Sequence, residues 1–122
     1  ALPGMVSNNW GRIINLTGMN AIHGYSGRAP VSVAKHGVWG LTKALAKEFG
    51  PNGITVNAIS PGLTATELHA EAGEAGSIDR LSSVIPLGRA GTPTEMAAAI
   101  RFLLSSESAY TTGAVLPVAG GF

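Results

Sequence analysis

The amino-acid sequence predicts an α/β fold, in which strands and helices alternate around a parallel sheet. Apolar residues recur at three- and four-residue steps between residues 32 and 49, which is the period of a helix with one buried face. A β-branched run at residues 54–59 follows a Gly-Pro stop and predicts a strand. Residues 11–17 predict another strand, apolar on both faces as in a sheet covered by helices. Strands that alternate with helices pair in parallel through right-handed crossovers.

The predicted order of elements is strand, long loop, helix, strand, lid-like segment, helix and strand. Residues 18–30 contain several glycines and a proline and predict the long loop, and such loops in compact domains usually carry function. The helix at residues 32–49 is predicted to bury Ala34, Val38, Leu41, Leu45 and Phe49. Residues 63–91 predict a mobile, lid-like segment with short helical patterns at 67–72 and 78–84.

The helix after the lid-like segment has a distinct N-terminal signal. Thr92 is the predicted N-cap, Pro93 takes the first helical position, and Glu95 closes a capping box. The buried stripe of this helix is predicted to be Met96, Ile100, Leu103 and Leu104. A short apolar run at residues 114–118 predicts the last strand.

The composition fits one domain without strongly charged partners. The chain has 122 residues, of which 45% are hydrophobic and 12% charged, with a net charge of +1. Soluble domains usually carry about 25% charged residues, so we expect part of the surface to be an interface. No Lys/Arg cluster supports nucleic-acid binding, and no apolar run is long enough to span a membrane. The chain has no cysteine, which fits a cytoplasmic protein.

The sequence predicts no metal site. His23, His36 and His69 are too dispersed for metal-ligand spacing, and no acidic cluster accompanies them. Three glutamates of the lid-like segment are interpreted as solvated helix residues: Glu67, Glu71 and Glu74.

Several sequence blocks have the order and spacing found in one enzyme family. They are Gly-Arg-Ile-Ile-Asn-Leu at residues 11–16, Ala-Lys-His-Gly at 34–37, Gly-Leu-Thr-Lys-Ala-Leu-Ala at 40–46, the segment 53–62, Pro-Leu-Gly-Arg at 86–89, Phe-Leu-Leu-Ser at 102–105 and the closing segment 112–121. Together they resemble the C-terminal half of short-chain dehydrogenases/reductases. The resemblance implies the C-terminal part of a Rossmann-like doubly wound parallel sheet, with NAD or NADP as cofactor and a small-molecule substrate. It also implies a homo-oligomer that pairs through the helix containing Lys35.

The resemblance does not extend to a dinucleotide-binding half. In the family, a glycine-rich turn after the first strand receives the pyrophosphate, and no G-x-x-x-G-x-G precedes Gly11 in this sequence. The chain also begins at Ala1 without an initiator Met. We therefore expect residues 1–122 to be a single partial Rossmann-like domain in which the N-terminal half is absent. The residues that discriminate NAD from NADP lie in that half.

The resemblance also implies catalytic positions that this chain has altered. Family enzymes use a Tyr as general acid/base, four residues before a Lys, and a Ser that polarises the reacting oxygen. The Lys corresponds to Lys35, but Val31 stands at the Tyr position and Gly18 at the Ser position. Strand alternation directs the hydroxyl of Thr17 away from Gly18, and Tyr25 is interpreted as a half-buried loop aromatic. We expect an NAD(P)-dependent oxidoreductase that is inactive or moves protons in a non-standard way.

Other positions match the family's cofactor contacts. Pro61-Gly62-Leu63 followed by Thr66 is similar to the loop in which the residue after the Gly contacts the nicotinamide carboxamide and the Thr contacts the carboxamide or phosphates. Lys35 would hold the nicotinamide ribose. The plainer alternative is that Pro61-Gly62 only turns the chain after a strand.

Two alternatives from other functional classes remain open. Ser32 and Lys35 form an S-x-x-K pattern, in which the amine could activate the hydroxyl of a serine hydrolase or esterase. Such a site would need an oxyanion hole near Ser32. The chain could instead be a non-catalytic subunit that oligomerises, an alternative favoured by its low charge content and by Trp39 on the same helix.

Overall fold

The structure of the protein, a computed structural model, describes residues 1–66 and 75–122. Its helices and strands are α1 (Leu2–Asn8), β1 (Gly11–Leu16), α2 (Met19–His23), α3 (Ala29–Phe49), β2 (Ile54–Pro61), α4 (Ala75–Ser82), α5 (Pro93–Leu104) and β3 (Val115–Val118). Short 3-10 turns cover Gly50–Asn52 and Ser106–Ser108. The α/β prediction is confirmed. No helix in these two ranges is long and apolar enough to cross a membrane.

The sheet has three parallel strands in the order β1-β2-β3. The register of β1 on β2 runs from Gly11 opposite Ile54 to Leu16 opposite Ile59. β3 joins the other edge of β2, with Pro61 opposite Val118 at its end. Because all three strands run the same way, their carboxyl ends meet at one edge of the sheet.

One face of the sheet packs against α1 and α3. Ala46, Ile54 and Val56 form the centre of this core, and further apolar side chains pack around it: Leu2, Met5, Val6, Ile13, Leu45 and Phe49. The predicted stripe of α3 is wrong at Ala34 and Leu41, which are exposed. Thr42 is buried instead, because its hydroxyl donates to the Val38 carbonyl at 2.8 Å and accepts from Asn15 Nδ2 at 3.0 Å.

The other face of the sheet packs against α5, through the buried Leu103. The predicted capping box is confirmed: the Thr92 hydroxyl accepts from the Glu95 backbone N–H at 3.2 Å, and the Glu95 carboxylate accepts from the Thr92 N–H at 2.9 Å. The predicted burial of Leu104 is wrong, since that side chain is 45% exposed. Met96 and Ile100 are half-buried.

Three segments differ from the sequence prediction. Residues 2–8 form the helix α1, which precedes the first predicted element. The predicted loop 18–30 contains the short helix α2, and α3 begins at Ala29 because Pro30 suits the first turn of a helix. After α3 the left-handed residue is Gly53, at φ 70°, not Gly50. A Cβ at Gly53 would collide with the Asn9 carbonyl oxygen.

The lid-like segment is described only in part. The helical pattern predicted at 78–84 corresponds to α4, which ends at Ser82. The pattern predicted at 67–72 lies entirely outside the described residues, as do Glu67, His69, Glu71 and Glu74.

Candidate active site

A cavity of about 260 Å³ lies at the carboxyl edge of the sheet. In open α/β sheets this edge is where ligands bind, because the loops that leave the strands converge there. Gly18 lies just after β1, Pro61 is the last residue of β2, Gly62 follows it, and all three line the cavity. We call it the edge cavity.

The residues predicted to form the cofactor loop come together in the edge cavity. Pro61, Gly62, Leu63 and Thr66 all line it. Gly18, at the altered Ser position, lines it as well, together with Met19 and Asn20 of α2. The cavity thus joins two stretches more than 40 residues apart in the sequence, and their meeting depends on the parallel pairing of β1 with β2.

The other predicted site residues lie outside the lining of this cavity. Val31, Ser32 and Lys35 occupy the first two turns of α3. Val31 is 45% exposed, whereas Ser32 and Lys35 are half-buried. No hydrogen bond joins the Ser32 hydroxyl to the Lys35 amine, although the Ser32 carbonyl is paired with His36 Nδ1 at 2.9 Å.

Gly18 leaves room where family enzymes carry a serine. Its backbone is extended, with φ −176° and ψ 141°, a conformation that any residue adopts. A Cβ built at Gly18 would have no heavy atom within 4 Å outside its own neighbours. The position therefore accepts a side chain, and the absence of one is not imposed by packing.

Neither nearby hydroxyl takes the place of the missing serine or tyrosine. Thr17 is buried, and its hydroxyl donates to the Ile59 carbonyl oxygen at 3.3 Å. This geometry agrees with the prediction that Thr17 points away from the site. Tyr25 is 60% exposed and does not line the edge cavity, so the expected half-burial of Tyr25 is wrong.

Gly62 also has a packing role. A Cβ on Gly62 would lie 2.7 Å from Ala119 Cβ, and the Gly62 N–H donates to the Val118 carbonyl at 3.0 Å. The end of β2 therefore packs closely against the end of β3. Pro61-Gly62 therefore does both things that the sequence allowed: it turns the chain after β2, and it lines the edge cavity.

The two ends of the lid-like segment are joined at its base. The Ala65 N–H donates to the Gly91 carbonyl at 2.9 Å, and the Gly91 N–H donates to the Leu63 carbonyl at 2.9 Å. Beside this bridge, Arg89 donates to the Glu95 carboxylate through both terminal nitrogens, at 2.9 and 2.6 Å. The hydrogen bonds from Arg89, followed by the one from the Thr92 N–H, lower the pKa of Glu95 from 4.5 to about 2.

The lining of the edge cavity is largely apolar and, among the described residues, uncharged. Its apolar side chains are Met19, Leu63, Leu81, Val84, Ile85 and Phe122. Asn20, Thr64 and Thr66 supply an amide and two hydroxyls, of which the Thr64 hydroxyl donates to the Gly62 carbonyl at 3.2 Å. Such a lining binds a flat, neutral group with a few hydrogen-bonding atoms, for example a carboxamide or a ketone.

Sequence reasoning missed Asn20, His23 and Phe122. Asn20 and Phe122 line the cavity, and His23 Nε2 pairs with the Phe122 backbone oxygen at 3.2 Å. The i, i+3 spacing of Asn20 and His23 on a helix was the available signal, but the sequence predicted a loop there. No group of three metal-ligating side chains occurs within residues 1–66 and 75–122.

Comparison with known proteins shows which family the chain resembles. A family model described as enoyl-(acyl carrier protein) reductase matches residues 1–122. The chain is 44% identical over 120 residues to 3-oxoacyl-[acyl-carrier-protein] reductase FabG of Pseudomonas aeruginosa, covering 98% of this chain and 48% of that protein. It is 45% identical over 118 residues to acetoacetyl-CoA reductase of Allochromatium vinosum, covering 97% and 48%.

A solved structure gives the same relationship. A variant of ElxO with NADPH bound has a TM-score of 0.88 and 34% sequence identity, and the match covers 98% of this chain and 49% of that one. The chain spans about half the length of the curated relatives it matches. Because a family model matches the chain from end to end and its relatives reach this identity, the chain belongs to the short-chain dehydrogenase/reductase family.

Proposed function

We propose that this chain provides the nicotinamide-facing and substrate-facing part of an NAD(P)-dependent reductase with non-standard proton transfer. The observation that carries the proposal is the edge cavity, which is lined by Gly18 together with Pro61, Gly62, Leu63 and Thr66. A small carbonyl compound is the substrate class that this lining favours, because the described lining residues carry hydrogen-bonding groups but no charge.

The residues at the edge cavity fit a nicotinamide ring. Asn20 and the Thr66 hydroxyl offer partners for a carboxamide, and Met19 and Leu63 offer apolar surface for the ring. Nicotinamide, when bound, supplies a hydride. The ElxO relative holds NADPH, which supports a nicotinamide cofactor without deciding between NAD and NADP. The pyrophosphate is not assigned to this chain, since no glycine-rich turn precedes Gly11.

Proton transfer is where the chain departs from its family. An aliphatic side chain has no proton to donate, so Val31 cannot protonate a carbonyl oxygen at any pH. Gly18 has no side chain with which to polarise that oxygen. General acid/base groups typically contribute about 10²–10⁴-fold to a rate. We therefore expect binding of cofactor and substrate to be retained better than turnover.

Dinucleotide binding by the 122-residue chain tests this proposal first. NADH and NADPH are titrated while fluorescence transfer from Trp39 and Trp10 is followed, and the titration is repeated with Lys35→Ala. We expect saturable binding that Lys35→Ala weakens about tenfold, because the variant loses a charged hydrogen-bond donor to the ribose.

Lys47→Ala is the matched control, since Lys47 lies in the last turn of the same helix. If Lys35→Ala and Lys47→Ala bind the dinucleotides equally well, Lys35 does not hold the nicotinamide ribose. An absence of saturable binding to the unmodified chain would reject the reductase proposal for these residues.

Homo-oligomerisation through α3 and a cytoplasmic location remain part of the proposal. Val33 is 73% exposed and Leu41 50% exposed on α3, and burial in a second copy would cover both. Leu41→Glu should lower the mass observed in sedimentation if α3 is the interface, whereas an unchanged mass would argue against it.

The geometry adds no support to a hydrolase based on Ser32 and Lys35, since the hydroxyl and the amine are not hydrogen-bonded.

A further inference from the structure

The end of the described chain forms part of the wall of the edge cavity. Phe122 lines the cavity and is 41% exposed. The His23 ring meets the Phe122 ring edge to face, with centroids 5.1 Å apart and an angle of 82°. His23 Nε2 is also within 3.2 Å of the Phe122 backbone oxygen. One imidazole therefore holds both the ring and the backbone of this residue.

Two glycines give the chain the path that places Phe122 there. Gly120 and Gly121 have φ values of 65° and 92°, which glycine adopts without strain. Each glycine also lies against the lid-like segment: a Cβ on Gly120 would be 2.7 Å from Ile85 Cγ2, and one on Gly121 would be 3.0 Å from Pro86. The Leu87 N–H donates to the Gly120 carbonyl at 3.1 Å. The segment before Phe122 is therefore fixed between β3 and the residues around Ile85.

From these contacts we propose that Phe122, held by His23, limits the chain length of the carbonyl ligand that the edge cavity accepts. The inference rests on the proposed function, because it assigns a carbonyl compound to this cavity. Phe122 is a specificity-determining residue in direct contact with the ligand. His23 is a positioning residue, since its contacts are with Phe122 and it does not line the cavity.

Met19 provides a reporter that does not depend on catalysis. It lines the edge cavity, and Ser60 donates a hydrogen bond to its sulfur at 3.4 Å. Met5 packs in the core under the sheet and serves as an internal reference for folding. The experiment uses the full chain with 13C-labelled methionine methyl groups, titrated with 2-butanone and 2-octanone while both methyl signals are followed.

In the unmodified chain, 2-butanone should change the chemical shift of the Met19 methyl group and leave that of Met5 unchanged. The preference is the ratio of the affinities for 2-butanone and 2-octanone obtained from the Met19 signal. Phe122→Ala should change the preference by about tenfold in favour of 2-octanone, because it opens space for further methylene groups. His23→Ala should give a smaller change in the same direction. His23→Gln should restore the original preference, since a glutamine amide can also donate to the Phe122 oxygen. Tyr25→Ala, an exposed change outside the cavity, is the matched control.

The inference is overturned if Phe122→Ala keeps the original chain-length preference, or if neither ketone shifts Met19 in any variant. A purely structural His23 would alter the Met5 signal or thermal stability without changing the preference. Dinucleotide titration separates this proposal from the proposed function. If Lys35→Ala weakens dinucleotide binding but Phe122→Ala leaves the ketone preference unchanged, only the role of Phe122 is refuted. A changed preference without dinucleotide binding refutes only the reductase proposal.

Discussion

The loop that ends β2 and the first turns of α3 have diverged to different degrees from the family pattern. The β2 loop keeps Pro61, Gly62 and Thr66, and all three line the edge cavity. The start of α3 keeps Lys35, but Val31 replaces the residue that would handle a proton. Gly62 is constrained by packing against Ala119 as well as by any ligand, whereas the α3 side chain at position 31 is 45% exposed. The glycine that the close backbone approach requires is therefore present, whereas the exposed position 31 carries a side chain without a proton to donate.

Restoring the two altered side chains should give the largest effect. We expect Gly18→Ser combined with Val31→Tyr to raise the rate of NADPH-dependent reduction of 2-butanone by about 10²-fold or more, since it supplies a proton donor and a hydroxyl that polarises the carbonyl oxygen. The serine has room, because no heavy atom lies within 4 Å of the added Cβ. The measurement is the loss of NADPH absorbance.

Gly18→Ser combined with Val31→Phe is the control for this first experiment. It has the same aromatic bulk as the tyrosine variant but lacks the phenol. If the two double variants are equally active, the phenol of Tyr at position 31 contributes nothing to turnover. The claim that Val31 limits turnover because it cannot donate a proton is then wrong.

The packing role of the β2 loop predicts the next largest effect. Gly62→Ala would place a Cβ 2.7 Å from Ala119 Cβ, so the ends of β2 and β3 must separate. We expect a loss of about 1–3 kcal/mol in the free energy of unfolding, as is typical of overpacking. Urea unfolding measures it.

Gly37→Ala is the matched change for Gly62→Ala in α3. A Cβ at Gly37 meets nothing within 4 Å, and alanine is the better helix former by roughly 0.5–1 kcal/mol. That variant should therefore be more stable than the unmodified chain. Equal effects of the two substitutions would show that the β2 loop is no more tightly packed than the surface of α3.

Sequence reasoning succeeded where the physical signal is local. The capping box at Thr92 and Glu95 depends only on spacing within one turn, and it was predicted and found. The buried stripe of α3 was misplaced at Leu41, because Thr42 is buried instead. Its hydroxyl donates to the Val38 carbonyl and accepts a hydrogen bond from Asn15 on β1. No local pattern reveals such a tertiary hydrogen bond.

The candidate site was predictable to the same extent. A motif predicted the cofactor-loop residues Pro61, Gly62, Leu63 and Thr66, and the structure places all four in the lining of one cavity. The contact between His23 and Phe122 joins residues 99 positions apart, and neither side chain belongs to a recognised motif. Gly120 and Gly121 lie in the matched closing segment 112–121, but the direction in which they turn the chain is a property of the folded protein.

The smallest predicted effect concerns the ion pair between Arg89 and Glu95 at the base of the lid-like segment. Hydrogen bonds from Arg89 and from the Thr92 N–H lower the pKa of Glu95 to about 2, against an ordinary value of 4.5. A carboxyl whose pKa is lowered by folding stabilises the folded state while it is ionised. Its contribution is therefore complete above about pH 4.5 and is lost as the pH falls towards 2.

Comparison of Glu95→Gln with the unmodified chain in urea at several pH values measures this contribution. The difference in the free energy of unfolding should be constant from neutral pH to about pH 5 and should shrink below that. It should also decrease with added salt, because Arg89 and Glu95 are both on the surface and exposed pairs are screened. A difference that stays constant down to about pH 2 would mean that Glu95 acts only through the shape of the helix cap. In that case the ion pair with Arg89 would contribute nothing to holding the lid-like segment at its base.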